Sequence, residues 1–114
     1  MITHIVLLQP RPDLTEEQRN RALEALSHAA AGVPEIRSCR LGRRVKHGLP
    51  GYEQLMPHNF EFALIIEVED IEALQRYLKA PAHLALGDLF YSATTAALAY
   101  DYQFEDFGSS ITEP

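Results

Sequence analysis

Cysteine is almost absent from this chain: Cys39 stands alone among 114 residues. No disulfide can close within the chain, which fits a reducing compartment. Positive charge is also short, since ten Lys and Arg oppose sixteen Asp and Glu for a formal net charge of -6. Without a wide basic face the chain lacks the attraction that supplies most affinity for nucleic acid, so no such partner is expected. Five of the ten cations gather at Arg37, Arg40, Arg43, Arg44 and Lys46. That run could suit an anionic ligand, but alternation along a strand with its polar side in water is the preferred explanation. Long apolar stretches are missing too. The first, Ile5 to Leu8, stops at Gln9 and Pro10, too short for an export signal or a membrane span. The expected location is the cytoplasm, with no membrane partner. There is no phosphate-cradling glycine motif, serine elbow or cysteine pair. No pair among His28, His47 and His58 has a metal-ligand spacing, so no metal is expected. Cys39 has no activating neighbour and reads as an inert buried thiol.

What is present is enough for one domain, over residues 1–106, with 107–114 expected as a flexible C-terminal tail. Ile5, Val6, Leu7 and Leu8 run without alternation before Pro10, predicting a strand from Thr3 to Gln9 that is covered on both faces. Thr15 and Gln18 have the spacing of a capping box, and Glu16 and Glu17 favour the positive end of a helix. Ala22, Leu23, Leu26, Ala29 and Ala30 give that helix a buried stripe, with Gly32 and Pro34 as stop signals. A second strand is predicted from Ile36 to Lys46. Its arginines suit a sheet edge. The connection from His47 to Asn59 is too long for a tight hairpin and reads as a lid, an arm onto a second subunit, or a plain surface excursion. A third strand spans Phe60 to Val68, again unalternating at its centre. Asp70 caps a second helix whose inner face is read as Ile71, Leu74 and Leu78. The fourth strand runs from Ala96 to Phe104, with Ala97 and Ala99 on one side and Leu98, Tyr100, Tyr102 and Phe104 on the other.

This order is strand, helix, strand, strand, helix, strand. Two right-handed crossovers on one antiparallel sheet give a ferredoxin-like α+β sandwich, with the two unalternating strands in the middle and both helices on one face. The other face then shows Ile5, Leu7, Ile65, Leu98, Tyr100 and Tyr102 to water. Each large apolar side chain left exposed forgoes roughly 1.5 to 3 kcal/mol. A patch of that kind implies a partner, and a symmetric homodimer packed sheet on sheet, closing an α+β barrel, is the economical one.

Inside the second helix, Pro81 lacks an amide hydrogen and its ring would meet the carbonyl of Tyr77. The helix is therefore predicted to break near Lys79 and restart at Pro81. On an unbroken helix Tyr77 and His83 would point to different faces. With the break, a phenol and an imidazole are aimed into one space. The small Ala97 and Ala99 leave room for a pocket there, with His4, Val6, Leu64, Leu86 and Phe90 as further lining. The alternatives are that His83 merely bonds a backbone carbonyl and fixes the kink, that Tyr77 is a core residue, and that His4 is a satisfied strand histidine.

Ile2 to Leu8 with His4, Ala73-Leu74-Gln75-Arg76-Tyr77-Leu78, Pro81-Ala82-His83-Leu84-Ala85-Leu86 and Tyr100-Asp101-Tyr102 together resemble the stress-responsive dimeric α/β-barrel (Dabb) domain over Met1 to Tyr102. The resemblance implies a homodimeric barrel, usually cofactor-free, with a cavity between sheet and helices. It does not imply one reaction. In a plant branch of the family, the polyketide cyclases, residues matching Tyr77 and His83 line the pocket. By that similarity His83 is the general base at a carbon beside a carbonyl, and Tyr77 the hydrogen-bond donor to the oxygen. Imidazole and phenol suit those tasks.

Three functions follow as hypotheses: a cofactor-free cyclase, isomerase or lyase acting on a small apolar or aromatic carbonyl compound; a non-catalytic binder of such a ligand; and a stress-protective homodimer. A cofactor-free monooxygenase is a variant of the first, which oxygen consumption would distinguish.

Overall fold

A computed structural model describes residues 1–107, apart from the side chain of Leu89. The expected tail, but for Phe107, lies outside the described residues. The elements in chain order are β1 (Ile2–Pro10), α1 (Glu16–Gly32), β2 (Ile36–Arg43), a single 3-10 turn (Glu53–Leu55), β3 (Phe62–Val68), α2 (Ile71–Lys79), α3 (Pro81–Ala93) and β4 (Thr94–Gln103). The four strands form one sheet in the order β2-β3-β1-β4, every pair antiparallel. The strands without alternation, β1 and β3, are the central ones, because only a middle strand has neighbours on both edges and can be apolar on both faces.

Register sorts the two faces. Across the sheet, Leu41, Leu64, Val6 and Ala99 form one row and Cys39, Ile66, His4 and Asp101 the next. This inner face packs with Leu26 of α1, Leu74 and Tyr77 of α2 and Leu86 of α3 into a single core. The outer face carries the rows Arg40, Ile65, Ile5, Tyr100 and Gly42, Ala63, Leu7, Leu98. Tyr100 is 52% exposed, and Leu98, Tyr102 and Phe104 are exposed with it.

The helix ends follow their capping chemistry. The Gln18 amide donates to Thr15 Oγ1 at 3.1 Å and the Thr15 amide to Gln18 Oε1 at 2.9 Å, closing the capping box. The Ala73 amide donates to Asp70 Oδ1 at 2.8 Å and starts α2.

Two expectations need correction. The second strand does not reach Lys46: its last partnered residue is Arg43, opposite Phe62, where β3 begins. Beyond that pair a single further backbone bond forms, from the Arg44 amide to the Glu61 carbonyl at 2.8 Å, and the chain then leaves the sheet, with Val45 83% exposed. Ile71 does not lie on the inner face of its helix either, being 58% exposed. It is the first residue of α2, and the inward positions are Ala73, Leu74 and Tyr77. The 44–61 connection turns through Gly48 (φ 80°) and Gly51 (φ 87°), in the left-handed region where a side chain is strained.

Candidate functional site

The helix break is where the proline places it. Lys79 ends α2, Ala80 is extended (φ -64°, ψ 140°), and Pro81 begins α3 in the first helical turn, where its missing amide hydrogen costs nothing. The Ala80 amide donates to the Tyr77 carbonyl at 3.1 Å, pinning the corner. The change in direction brings the Tyr77 and His83 rings to 4.8 Å between centroids at an interplanar angle of 69°. His4, from the centre of β1, lies 5.7 Å from Tyr77 and 6.5 Å from His83. Three elements thus converge on one aromatic and imidazole cluster.

A fourth residue completes it. Asp101 is opposite His4 in the β1–β4 register, and its Oδ1 lies 2.6 Å from His4 Nδ1. An ionised carboxylate only accepts, so Nδ1 carries the hydrogen and Nε2 of a neutral His4 is left as an acceptor. Sequence reasoning missed Asp101 as a site residue. The alternation that sets Ala97 and Ala99 on the inner side of β4 sets Asp101 there too, so the signal was present.

Electrostatics separates the groups. Burial, followed by the charges of Cys39 and Asp101, pushes the Tyr77 phenol up to about 12. It therefore stays protonated and able to donate. Burial, and then the neighbouring His4, lowers the pKa of His83, with the Leu78 carbonyl pulling the other way. His83 is thus held neutral to lower pH than a free imidazole. Its Nδ1 is buried without a hydrogen-bond partner among the described residues, an arrangement that calls for an explanation in a native fold. The Cys39 thiol is half-buried and its pKa is raised by that burial.

The other expected lining residues are spread along the inner face around the cluster. Val6 and Leu64 occupy the next row of the inner face, and Leu86 is in the core. Ala97 and Ala99 pair with Leu8 and Val6 on the same side, yet both are exposed. Ala97 and Phe90 line a groove between α3 and β4, and Phe90 also closes a separate apolar cleft under α1. Elsewhere, His47 Nε2 lies 3.1 Å from Glu53 Oε2, His58 packs on Phe60, and His28 is exposed. Among the described residues no three His, Cys, Asp or Glu could hold one metal ion, and no helix is long and apolar enough to cross a membrane.

A four-stranded antiparallel sheet with both crossovers on one face is a ferredoxin-like α+β fold, here with a histidine and tyrosine cluster under the sheet. The chain belongs to the stress-responsive A/B barrel domain (Dabb) family, whose profile matches residues 2–104. Olivetolic acid cyclase of Cannabis sativa is 24% identical over 103 residues, covering 89% of this chain and 94% of the cyclase. Among solved structures, a dimeric ferredoxin-like protein of unknown function from Thermobifida fusca superposes with a TM-score of 0.72 at 21% identity, covering 90% of each chain. The hydroxynitrile lyase of Passiflora edulis gives 0.80 at 14% identity, over 92% of this chain and 94% of the lyase. At such identities the structural likeness concerns the fold alone.

Proposed function

We propose that this protein is a homodimeric barrel that binds a small apolar or aromatic carbonyl compound and acts on it by cofactor-free acid/base chemistry at Tyr77 and His83. The observation carrying the reading is the buried Nδ1 of His83, without a hydrogen-bond partner among the described residues and beside a phenol that stays protonated. A neutral imidazole there takes a proton from the carbon next to the carbonyl. The electron pair of that C–H bond moves onto the carbonyl oxygen, and the Tyr77 hydroxyl hydrogen-bonds the developing enolate. Returning the proton to another carbon completes an isomerase-like turnover; attack of the enolate carbon on a second carbonyl of the same molecule opens that C=O π bond, and the new alkoxide takes the proton back from His83, which completes a cyclase-like one. His4 is oriented by Asp101 and faces both groups, which supports a role in positioning. The relative named as a cyclase favours this class.

The homodimer reading is supported by the outer face, where Leu98, Tyr100 and Tyr102 are exposed beside Ile5, Leu7 and Ile65, and by a structural neighbour that is itself dimeric. A second reading, a ligand-binding or stress-protective homodimer without turnover, is favoured by the depth of Tyr77, which is only 3% exposed. Assays of His83→Ala with thioester and ketone substrates separate the two. Turnover by the parent chain, lost in a variant that remains dimeric, is expected. Undiminished turnover in His83→Ala would remove the base from the scheme, and binding without product in the parent chain would leave the second reading.

A further inference from the structure

The two edges of the outer face differ in chemistry. On β2 the outward residues are Ser38, Arg40 and Gly42, in register with Glu67, Ile65 and Ala63 of β3. Ser38 Oγ donates to Glu67 Oε1 at 3.1 Å, which engages the nearest carboxylate. Arg40 is exposed and makes no hydrogen bond or ion pair among the described residues. On β4 the outward residues are Leu98, Tyr100 and Tyr102, none of them charged. The Tyr100 and Tyr102 rings lie 6.4 Å apart, and Phe104 extends the ladder at 6.4 Å from Tyr102. One edge is therefore cationic and the other aromatic. Arg40 and Tyr100 share a row, with Ile65 and Ile5 between them. Three strand spacings, about 14 Å, keep them from meeting within a subunit.

A face-to-face homodimer can be turned in two ways. With the strands of the two sheets aligned, the two-fold axis lies between the sheets and runs either across the strands or along them. Across, each strand lies over its own copy. The two Arg40 side chains then share one side of the interface, where the outward residues of β2 offer no carboxylate to separate them, and like charges brought together this way oppose association. Along, the strand order of the partner is reversed, so that β2 lies over β4 and β3 over β1. Each guanidinium then meets an aromatic face, an attraction that grows as water leaves, and Ile65 faces the partner subunit's Ile5. Resting on the homodimer reading above, we propose that the axis runs along the strands, with the Arg40 guanidinium on the ring of the partner subunit's Tyr100. Symmetry makes the contact twice.

Sedimentation equilibrium of the intact chain tests the orientation. Arg40→Gln is expected to raise the dimer dissociation constant about tenfold, the loss of two cation–π contacts at the modest end of their range. In a Tyr100→Leu background, which keeps apolar cover and removes the ring, the same substitution should change the constant by about twofold or less. Since the two residues are too far apart to touch in one chain, coupling of that size has to cross the interface. Native mass spectrometry of the parent chain mixed with Arg40→Glu gives an independent reading. With β2 over β4 the mixed dimer forms at the share the two homodimer constants dictate, because position 40 faces a tyrosine whichever copy supplies it. An excess of mixed dimer would set the two positions 40 against each other and refute the orientation. So would a dimer unchanged or tightened by Arg40→Gln, or an equal loss in the Tyr100→Leu background. A parent chain that sediments as a monomer would remove the homodimer reading itself, whereas a dimeric parent with any of the other results removes the orientation alone.

Discussion

Replacing Tyr100 with serine tests the sheet-on-sheet dimer without disturbing the subunit. Tyr100 lies on the edge strand β4, on the face away from the helices, and is 52% exposed in the single chain. Its ring therefore contributes little to the core, and the variant should fold. An aromatic side chain buries about 200 Å² when fully covered. Roughly half of that remains to be buried by a partner, about 100 Å², which at about 25 cal/mol per Å² is ~2.5 kcal/mol. A two-fold interface contains the residue twice, so the dimer loses ~5 kcal/mol, or between three and four decades in its dissociation constant at about 1.4 kcal/mol per decade. Sedimentation equilibrium over nanomolar to micromolar concentrations reads the change. The parent chain should be dimeric throughout the upper range and Tyr100→Ser monomeric over most of it, with an unchanged far-ultraviolet circular dichroism spectrum. A parent chain that sediments as a folded monomer, or a variant with an unshifted constant, would refute the reasoning.

The lowered pKa of His83 gives a second test with a definite sign. Below the ordinary imidazole value of about 6.5 the unfolded chain takes up a proton at this position before the folded chain does. Stability from this group is therefore present above that value and is lost as pH falls through the depressed folded value. Urea midpoints should decline as pH drops below about 6.5, and less steeply in His83→Gln; identical slopes would show that His83 does not titrate differently on folding. Turnover that uses neutral His83 should hold its plateau to lower pH than a free imidazole allows. Removing the carboxylate in Asp101→Ala leaves the buried Nδ1 of His4 without its partner, which costs about 1 kcal/mol, toward the low end because Asp101 is 37% exposed and water can enter. A melting temperature equal to that of the parent would show that the pair contributes nothing.

Local chemistry made the element order and the sheet order legible. The capping box at Thr15 and Gln18, the Asp70 cap and the break at Pro81 each depend on a few neighbouring residues, and all stand where the sequence puts them. Unbroken apolar runs at Ile5–Leu8 and Ala63–Ile66 marked the central strands, because there a neighbouring strand shields each edge. The apolar outer face followed from the same alternation, carried onto a sheet whose helices lie on one side.

The site was less legible because it is a matter of register and helix direction. The pairing of Tyr77 with His83 could be argued from the proline, but the distance between their rings, the approach of His4 and the bond from His4 to Asp101 depend on how β1 meets β4, ninety-seven residues apart in the chain. Sequence alone determined which residues must be helix, strand and corner, since those are decisions of single side chains and their neighbours. Tertiary structure decided which imidazole nitrogen is buried without a partner among the described residues and which carboxylate meets His4, since both depend on the packing of segments far apart in the chain.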